Sequence, residues 1–112
     1  MAVISNIVVD AGSTFNATIT VKNPDGTAFD LTDYTVASQI RKSYGSSTAY
    51  DFNPTITDAT AGQITLSLSS TQSEAIAPGR WLYDVEITNI SDGAVKRVVE
   101  GIVTITPQIT KI

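Results

Sequence analysis

The side chains of this sequence that could do chemistry are carboxylates. Among its 112 residues there is neither histidine nor cysteine. Imidazole or thiolate metal sites, and Ser-His-Asp or Cys-His nucleophile systems, therefore cannot be built from this chain. A carboxylate pair acting as acid and base, or an all-oxygen site for calcium or magnesium, stays open. We expect no enzyme, no cofactor and no catalytic residue unless an acidic region forms such a site.

The first acidic region runs from Asn23 to Val36 and reads NPDGTAFDLTDYTV. A helix-loop-helix calcium loop needs acids at alternate positions before its glycine and a bidentate glutamate after it. Here Asp25 directly precedes Gly26, and no glutamate follows in the segment. Proline and glycine at the second and fourth positions favour a tight turn. We predict a turn without metal, in which Asp30 and Asp33 accept hydrogen bonds from nearby backbone amides.

The second acidic region combines Asp84 and Glu86 with Glu100 on one face of a predicted hairpin. Like charges directly opposed on neighbouring strands cost stability, so a cation should neutralise them. We expect basic neighbours such as Arg41 or Arg80, or a basic patch on a partner, to do so. A glycosidase-like pair needs a cleft and a raised pKa, which a small flat sheet does not supply.

Strands must position these carboxylates, because apolar and polar residues alternate through most of the chain. Turn residues separate about seven short segments of this kind, which predicts an antiparallel sandwich of two sheets. The predicted strands are Phe15–Val21, Tyr34–Arg41, Ile64–Leu68, Trp81–Thr88 and Val95–Thr106, with weaker candidates at Ile7–Asp10 and Ala49–Ile56.

One helical signal and one hairpin complete the prediction. Thr71 to Glu74 has the capping-box pattern, and a Pro-Gly pair follows closely, so we expect a single short helical turn near residues 71–77. A three-residue loop, Ser91 to Gly93, with the glycine as a left-handed bulge, pairs Val85 with Val99. A two-residue turn would instead place Glu100 on the core face.

Charge and hydropathy exclude several partners. Eleven acidic and seven basic residues give a net charge of -4, which argues against nucleic acid. No apolar run approaches the roughly 20 residues of a membrane helix, and the N-terminus lacks a basic leader region. We expect one domain, residues 1–112, that binds neither nucleic acid nor membrane.

The aromatic side chains allow two interpretations. Trp81 shares its parity with the apolar residues of its strand, which predicts that it is buried, as is Tyr83. Alternatively, Trp81 could join Tyr34, Tyr44 and Tyr50 in a platform on which sugar rings stack. The second interpretation requires at least two of these rings to be exposed and coplanar.

Leu82 is an apolar residue on the solvent-facing side of its strand, which indicates contact with another subunit or domain. Tyr44 lies in a polar loop, residues 42–48, that is either a binding tip or a plain connection. The predicted interface residues are therefore Leu82, Asp84, Glu86, Glu100 and Tyr44.

Several short segments together resemble a known family. They are Gly12–Phe15, Asn23–Thr27, Asp30–Val36, Gln39–Arg41, Ala61–Leu66 and Pro78–Val85. The series is similar to small virion structural proteins of tailed bacteriophages, in particular the immunoglobulin-like N-terminal domain of siphophage baseplate upper proteins. Those proteins continue into further segments, and Asp33 stands where their pattern has glycine. The resemblance implies an immunoglobulin-like sandwich that assembles without catalytic residues.

We therefore hypothesise a non-enzymatic virion structural or assembly protein of the tail, baseplate or neck. It would be made in the bacterial cytoplasm and dock on other virion proteins, and on itself, through a sheet face and exposed edge strands. The apolar terminal segments Ala2–Ile4 and Ile109–Ile112 could reach a neighbour. Two alternatives are a capsid decoration protein and, from a different class, a carbohydrate-binding module that recognises glycans.

Overall fold

A computed structural model of the chain describes residues 3–109. Within this range, nine strands and one short helix form two sheets. The elements are β1 Val3–Ile4, β2 Ile7–Asp10, β3 Phe15–Thr20, β4 Tyr34–Arg41, β5 Ala49–Asp51, β6 Thr55–Asp58, β7 Gln63–Leu68, α1 Ser70–Ala75, β8 Gly79–Asn89 and β9 Val95–Thr106.

The larger sheet has the order β1-β9-β8-β4-β5, with β2 also paired to β9, and the smaller sheet has the order β3-β7-β6. Only β1 and β2 run parallel to their neighbour β9; the other pairs are antiparallel. The chain thus places its strands as an immunoglobulin domain does: β3, β7 and β6 take the places of strands B, E and D, and they face β4, β8 and β9 in the places of strands C, F and G. The expected all-β, immunoglobulin-like sandwich is confirmed.

The alternation of apolar and polar residues along each strand explains the core between the sheets. The apolar residues of each strand point inward and form one buried cluster, as predicted, while their neighbours face solvent. Trp81 is only 7% exposed, and its indole N–H donates to the Ala77 carbonyl at 2.9 Å. Tyr83 is also buried and donates its hydroxyl to the Ser5 carbonyl at 2.6 Å. Both residues therefore belong to the core.

The strand predicted for Ala49–Ile56 is wrong, because this segment divides between the sheets. β5 pairs with β4 of the larger sheet, whereas β6 pairs with β7 of the smaller one. Asn53 takes a left-handed φ of 50°, and Pro54, which follows it, has no N–H to donate to a ladder. The Asp51 carboxylate accepts a hydrogen bond from the Asn53 amide at 2.8 Å. Asn53 and Pro54 turn the chain from one sheet to the other.

The short helix is present, but its cap is not the predicted one. Ser69, rather than Thr71, is the N-cap: its side chain accepts from the Gln72 amide at 3.1 Å, and the Gln72 side chain accepts from the Ser69 amide at 2.8 Å. The capping-box pattern occurs twice here, offset by two residues. The earlier match closes the box, so the helix begins at Ser70.

The β8–β9 hairpin has the predicted register near its centre. Val85 lies across from Val99, yet Glu86 lies across from Arg97, so Val98 is an extra, bulged residue. The bulge turns Val98 inward beside Val99, where it is only 8% exposed. Burying this additional apolar side chain favours the shift. Because the bulge shifts the pairing by one residue before the loop is reached, the predicted three-residue loop is wrong.

The Asn89 amide donates to the Ala94 carbonyl at 2.9 Å, and this last hydrogen-bonded pair closes a loop of four residues, from Ile90 to Gly93. Gly93 has the predicted left-handed conformation, with a φ of 73°. The turn residue was thus correctly identified, while the extra residue of the hairpin lies in β9 and not in the loop.

Candidate docking groove

A groove of about 580 Å³ lies on the outer face of the larger sheet. All five predicted interface residues line it. They are Leu82, Asp84, Glu86, Glu100 and Tyr44. Strands β4, β8 and β9 supply its floor, and the chain before β2 and the loop after β4 supply its rims. The structure therefore brings together residues that lie far apart in the sequence.

Strand parity positions the floor. In β8 the odd-numbered residues point into the core, so Leu82, Asp84 and Glu86 point outward. Leu82 lies across from Ile102 of β9 and Arg41 of β4. Leu82 and Ile102 therefore form an apolar end of the groove, which Arg41 adjoins, and the acids Asp84, Glu86 and Glu100 lie toward the other end.

The apolar end is open to solvent. On one rim Ile4, which lies across from Glu100, has 73% of its surface exposed, and Tyr44 on the opposite rim is 84% exposed. Leu82 and Ile102 are half-buried between them. Side chains of this kind, clustered and rimmed by polar residues, are typical of sites where another molecule binds.

Arg97 neutralises the opposed acids at the charged end. Its Nε lies 3.4 Å from Asp84 Oδ2, and its Nη1 lies 3.1 Å from Glu100 Oε2. The expected neutralisation by a basic neighbour is found, but the residue is Arg97 and not Arg41 or Arg80. Arg41 donates to Gln39 Oε1 at 2.9 Å, and Arg80 is exposed outside the groove.

Arg97 was missed because its role depends on the bulge. In a strand without a bulge, Arg97 would lie on the same, core-facing side of β9 as the buried Val99 and Val103. The extra residue Val98 moves Arg97 to the outer face, across from Glu86. A signal existed in the sequence: an arginine at a core position, directly before two valines, indicates a shift of parity.

Negative charge remains in excess in the groove, since three carboxylates share it with Arg41 and Arg97. Burial raises the pKa of Asp84 above its ordinary value of 3.8, and Glu86 and Glu100 raise it further, against the opposing effect of Arg97. The two salt bridges found in residues 3–109 leave out Glu86. The groove can therefore accept a further cation from outside.

The aromatic platform is not formed. Trp81 is buried, and Tyr50 contacts it edge-on with ring centroids 5.6 Å apart. Tyr34 packs edge-on against Phe29 at 5.4 Å. Tyr44 is the exposed member of the set. The four rings thus offer no pair of exposed, coplanar faces for a sugar.

The acidic loop after β3 forms the predicted turn. The Gly26 amide donates to the Asn23 carbonyl at 2.9 Å, and Asp25 accepts hydrogen bonds from the side chain and amide of Thr27. Asp30 accepts from the Thr32 amide at 2.9 Å. Hydrogen bonds from Thr27 and Thr32 lower the pKa values of Asp25 and Asp30, respectively.

Asp33 differs from the other two aspartates. The predicted side-chain bond is replaced by a backbone role, with a left-handed φ of 67° and a carbonyl that accepts from the Ile90 amide at 2.9 Å. Across residues 3–109, no group of three or more acidic side chains is placed to hold a metal ion. The same range contains no helix with the length and apolar character needed to cross a membrane.

The apolar ends lie partly outside the described residues, since Ala2 and residues 110–112 are not among them. Val3, Ile4 and Ile109 are described, and all three are exposed.

The sequence matches no family model and no curated protein. Its fold resembles that of InlP from Listeria monocytogenes, with a TM-score of 0.51 and 17% identity over 91% of this chain. The chain spans only 26% of that protein, so the likeness concerns the fold alone. Weaker similarities, which add nothing further, are to the NK cell receptor NKp44 and to a complex of ICOS with ICOS-L and a VNAR domain. For NKp44 the TM-score is 0.44, with 15% identity over 91% of this chain and 99% of that one. For the ICOS complex the TM-score is 0.41, with 16% identity over 96% of this chain and 56% of that one.

Proposed function

We propose that this sandwich is a non-enzymatic docking module that binds another protein through the groove on its larger sheet. One observation carries the proposal: the residues whose types suggested an interface converge on a single groove. Histidine and cysteine are missing from the chain, so its chemistry is limited to carboxylates, and Arg97 already bridges two of these.

The occupant that fits is a protein segment with an apolar side chain beside a basic one. The apolar side chain would cover Leu82 and Ile102, which removes apolar surface from water at about 25 cal/mol per Å². The basic side chain would reach Glu86 and relieve the crowding of like charges that raises the pKa of Asp84. This arrangement pairs each end of the groove with a complementary group.

We place the partner in the virion of a tailed bacteriophage. The support for this step is the sequence resemblance to small virion structural proteins, whose assembly roles need no catalytic residues. A tail, baseplate or neck position is the main proposal, and capsid decoration is the alternative within the same class. Copy number measured by mass spectrometry of purified particles separates them, because a shell needs hundreds of copies and a tail needs few.

Mutating the groove tests the docking proposal. Leu82→Asp adds a fourth carboxylate to the groove, at its apolar end. We expect this variant to lose binding to proteins purified from the virion by at least about tenfold, the effect of roughly 1.4 kcal/mol. Binding is measured by sedimentation velocity of defined mixtures.

Thr55→Asp is the matched control, since Thr55 is an exposed strand residue on the other sheet. It should bind as the wild type does. Equal binding by Leu82→Asp and the wild type, with both proteins folded, would overturn the proposal, as would wild-type protein that binds no virion component.

A further inference from the structure

The edge of the smaller sheet offers a second surface, separate from the groove. β3 pairs with β7 on one side, and among residues 3–109 no strand pairs with its other side. An unpaired strand edge presents a row of N–H and C=O groups to which a further strand can add. β3 is therefore a candidate site for association through the backbone.

The backbone groups of β3 alternate in direction. The Val21 amide donates to the Gly62 carbonyl at 2.8 Å, in the same register that pairs Ile19 with Ile64. Odd-numbered residues of β3 therefore bond to β7, and even-numbered residues direct their N–H and C=O groups to the open side. Asn16, Thr18 and Thr20 thus present free donors and acceptors at regular spacing.

β3 also lacks the features that protect an edge, which are charge, proline, a bulge or short length. Its sequence is Phe-Asn-Ala-Thr-Ile-Thr over six residues. By contrast, β5 has three residues and includes Asp51, and β6 follows Pro54, is irregular at Thr57 and ends at Asp58. β3 is the longest uncharged edge in the described part of the chain.

A row of threonine hydroxyls ends at this edge. Thr18 Oγ1 lies 3.1 Å from Thr65 Oγ1, which donates to Thr57 Oγ1 at 3.3 Å. A second copy of β3, antiparallel across a two-fold axis at Thr18, continues this row with its own Thr18. Threonine pairs across strands are favourable, and no like charges meet although each chain carries a net charge of -4.

We propose that two copies of this chain associate by antiparallel pairing of their β3 strands about Thr18. Thr18 then faces Thr18 of the second copy, and Asn16 faces Thr20. The three outward-facing residues of each copy form hydrogen bonds with the other, and the two smaller sheets become one continuous sheet. This proposal does not depend on the groove or on its partner.

Single cysteines test the register directly, because the natural chain has none. In a hydrogen-bonded antiparallel pair the Cα atoms lie about 5.5 Å apart, within disulfide range. Thr18→Cys should form at least about ten times more disulfide dimer than Asn16→Cys, whose two copies would lie roughly 13 Å apart along the strands. An equimolar mixture of Asn16→Cys and Thr20→Cys should form the mixed dimer.

Sedimentation of cysteine-free protein provides an independent readout. The wild type should show a concentration-dependent dimer, and Thr18→Lys should shift it to monomer by opposing two like charges, with the urea midpoint unchanged at concentrations where the wild type is itself monomeric. Thr55→Lys, on the β6 edge, is the control and should remain a dimer. A monomeric wild type would contradict the proposal. So would a Thr18→Cys protein that cross-links no faster than Thr35→Cys, an exposed residue of an interior strand.

Discussion

The outer faces of the two sheets differ in what they present. The larger sheet presents carboxylates, guanidinium groups and apolar side chains around a groove. The outward-facing residues of the smaller sheet are uncharged from Asn16 to Thr20 and from Gln63 to Ser67. The strands under the groove are paired on both sides, so only their side chains can bind a partner. The smaller sheet has an open edge, so its backbone can bind.

Both faces depend on the same core, and Phe52 shows this most clearly. Its ring stacks on Phe15 of the smaller sheet at 5.7 Å and contacts Tyr83 of the larger sheet at 5.6 Å. We expect Phe52→Ala to lower the free energy of unfolding by about 3–5 kcal/mol and to weaken both surfaces together. Urea denaturation measures the loss. Tyr44→Ala, at an exposed position, should stay within about 0.5 kcal/mol of the wild type.

Gly101 supports the rim of the groove. A Cβ at this position would overlap the Ser5 carbonyl oxygen, so a side chain would push the N-terminal segment away from β9. Gly101→Ala should cost about 1–3 kcal/mol and speed amide exchange in β1, while β3 keeps its exchange rate. Gly45→Ala has open space around it and serves as the control. Equal effects of the two variants would contradict this account of the groove rim.

Ser73 supports the β3 side instead. It is fully buried, and its hydroxyl accepts from the Gly12 amide at 3.0 Å and donates to the Ser13 carbonyl at 2.8 Å. Ser73→Ala leaves these groups unpaired, and we expect a loss of about 1–2 kcal/mol. The exposed Ser70→Ala is the matched helix variant. If both variants unfold at the same urea concentration, the buried hydroxyl does not hold the start of β3.

The smallest expected effect concerns pH. Because the pKa of Asp84 is raised in the folded protein, its charged form opposes folding above that pKa. Asp84→Asn should therefore be slightly more stable than the wild type at neutral pH, by less than about 1 kcal/mol for this half-exposed group. The advantage should vanish as the pH falls through the raised pKa toward 3.8.

Asp30→Asn should show the opposite sign. The Thr32 hydrogen bonds lower the pKa of Asp30, so its charge stabilises the fold above 3.8 and that contribution is lost as the pH falls through the lowered pKa. The variant should be less stable than the wild type at neutral pH. Urea midpoints of both variants across the acid range check the two signs, and parallel curves would contradict the assignment.

The alternation of apolar and polar residues was sufficient to predict most of the sandwich. The bounds of β9, Val95 to Thr106, and of β2, Ile7 to Asp10, agree with the sequence prediction because each strand buries one parity. Four of the interface candidates, Leu82, Asp84, Glu86 and Glu100, also came from parity, whereas Tyr44 was chosen for its position in a polar loop. Local pattern therefore explains which side chains point outward.

The features that were missed depend on contacts between distant segments. The bulge at Val98 is favoured by burial in the core, and it decides that Arg97 meets Asp84. The division of residues 49–58 between two sheets depends on which neighbours β5 and β6 find. The choice of Ser69 over Thr71 as the cap follows from where β7 ends. None of these choices is made by the local sequence alone.

The most direct test of docking through the groove is hydroxyl-radical footprinting of the chain, free and within purified virions. The account predicts that Tyr44 and Leu82 become protected in the particle. Ile90, which is exposed on the hairpin loop away from the groove, should react equally in both. Unchanged reactivity of Tyr44 and Leu82 in particles that contain the chain would contradict it.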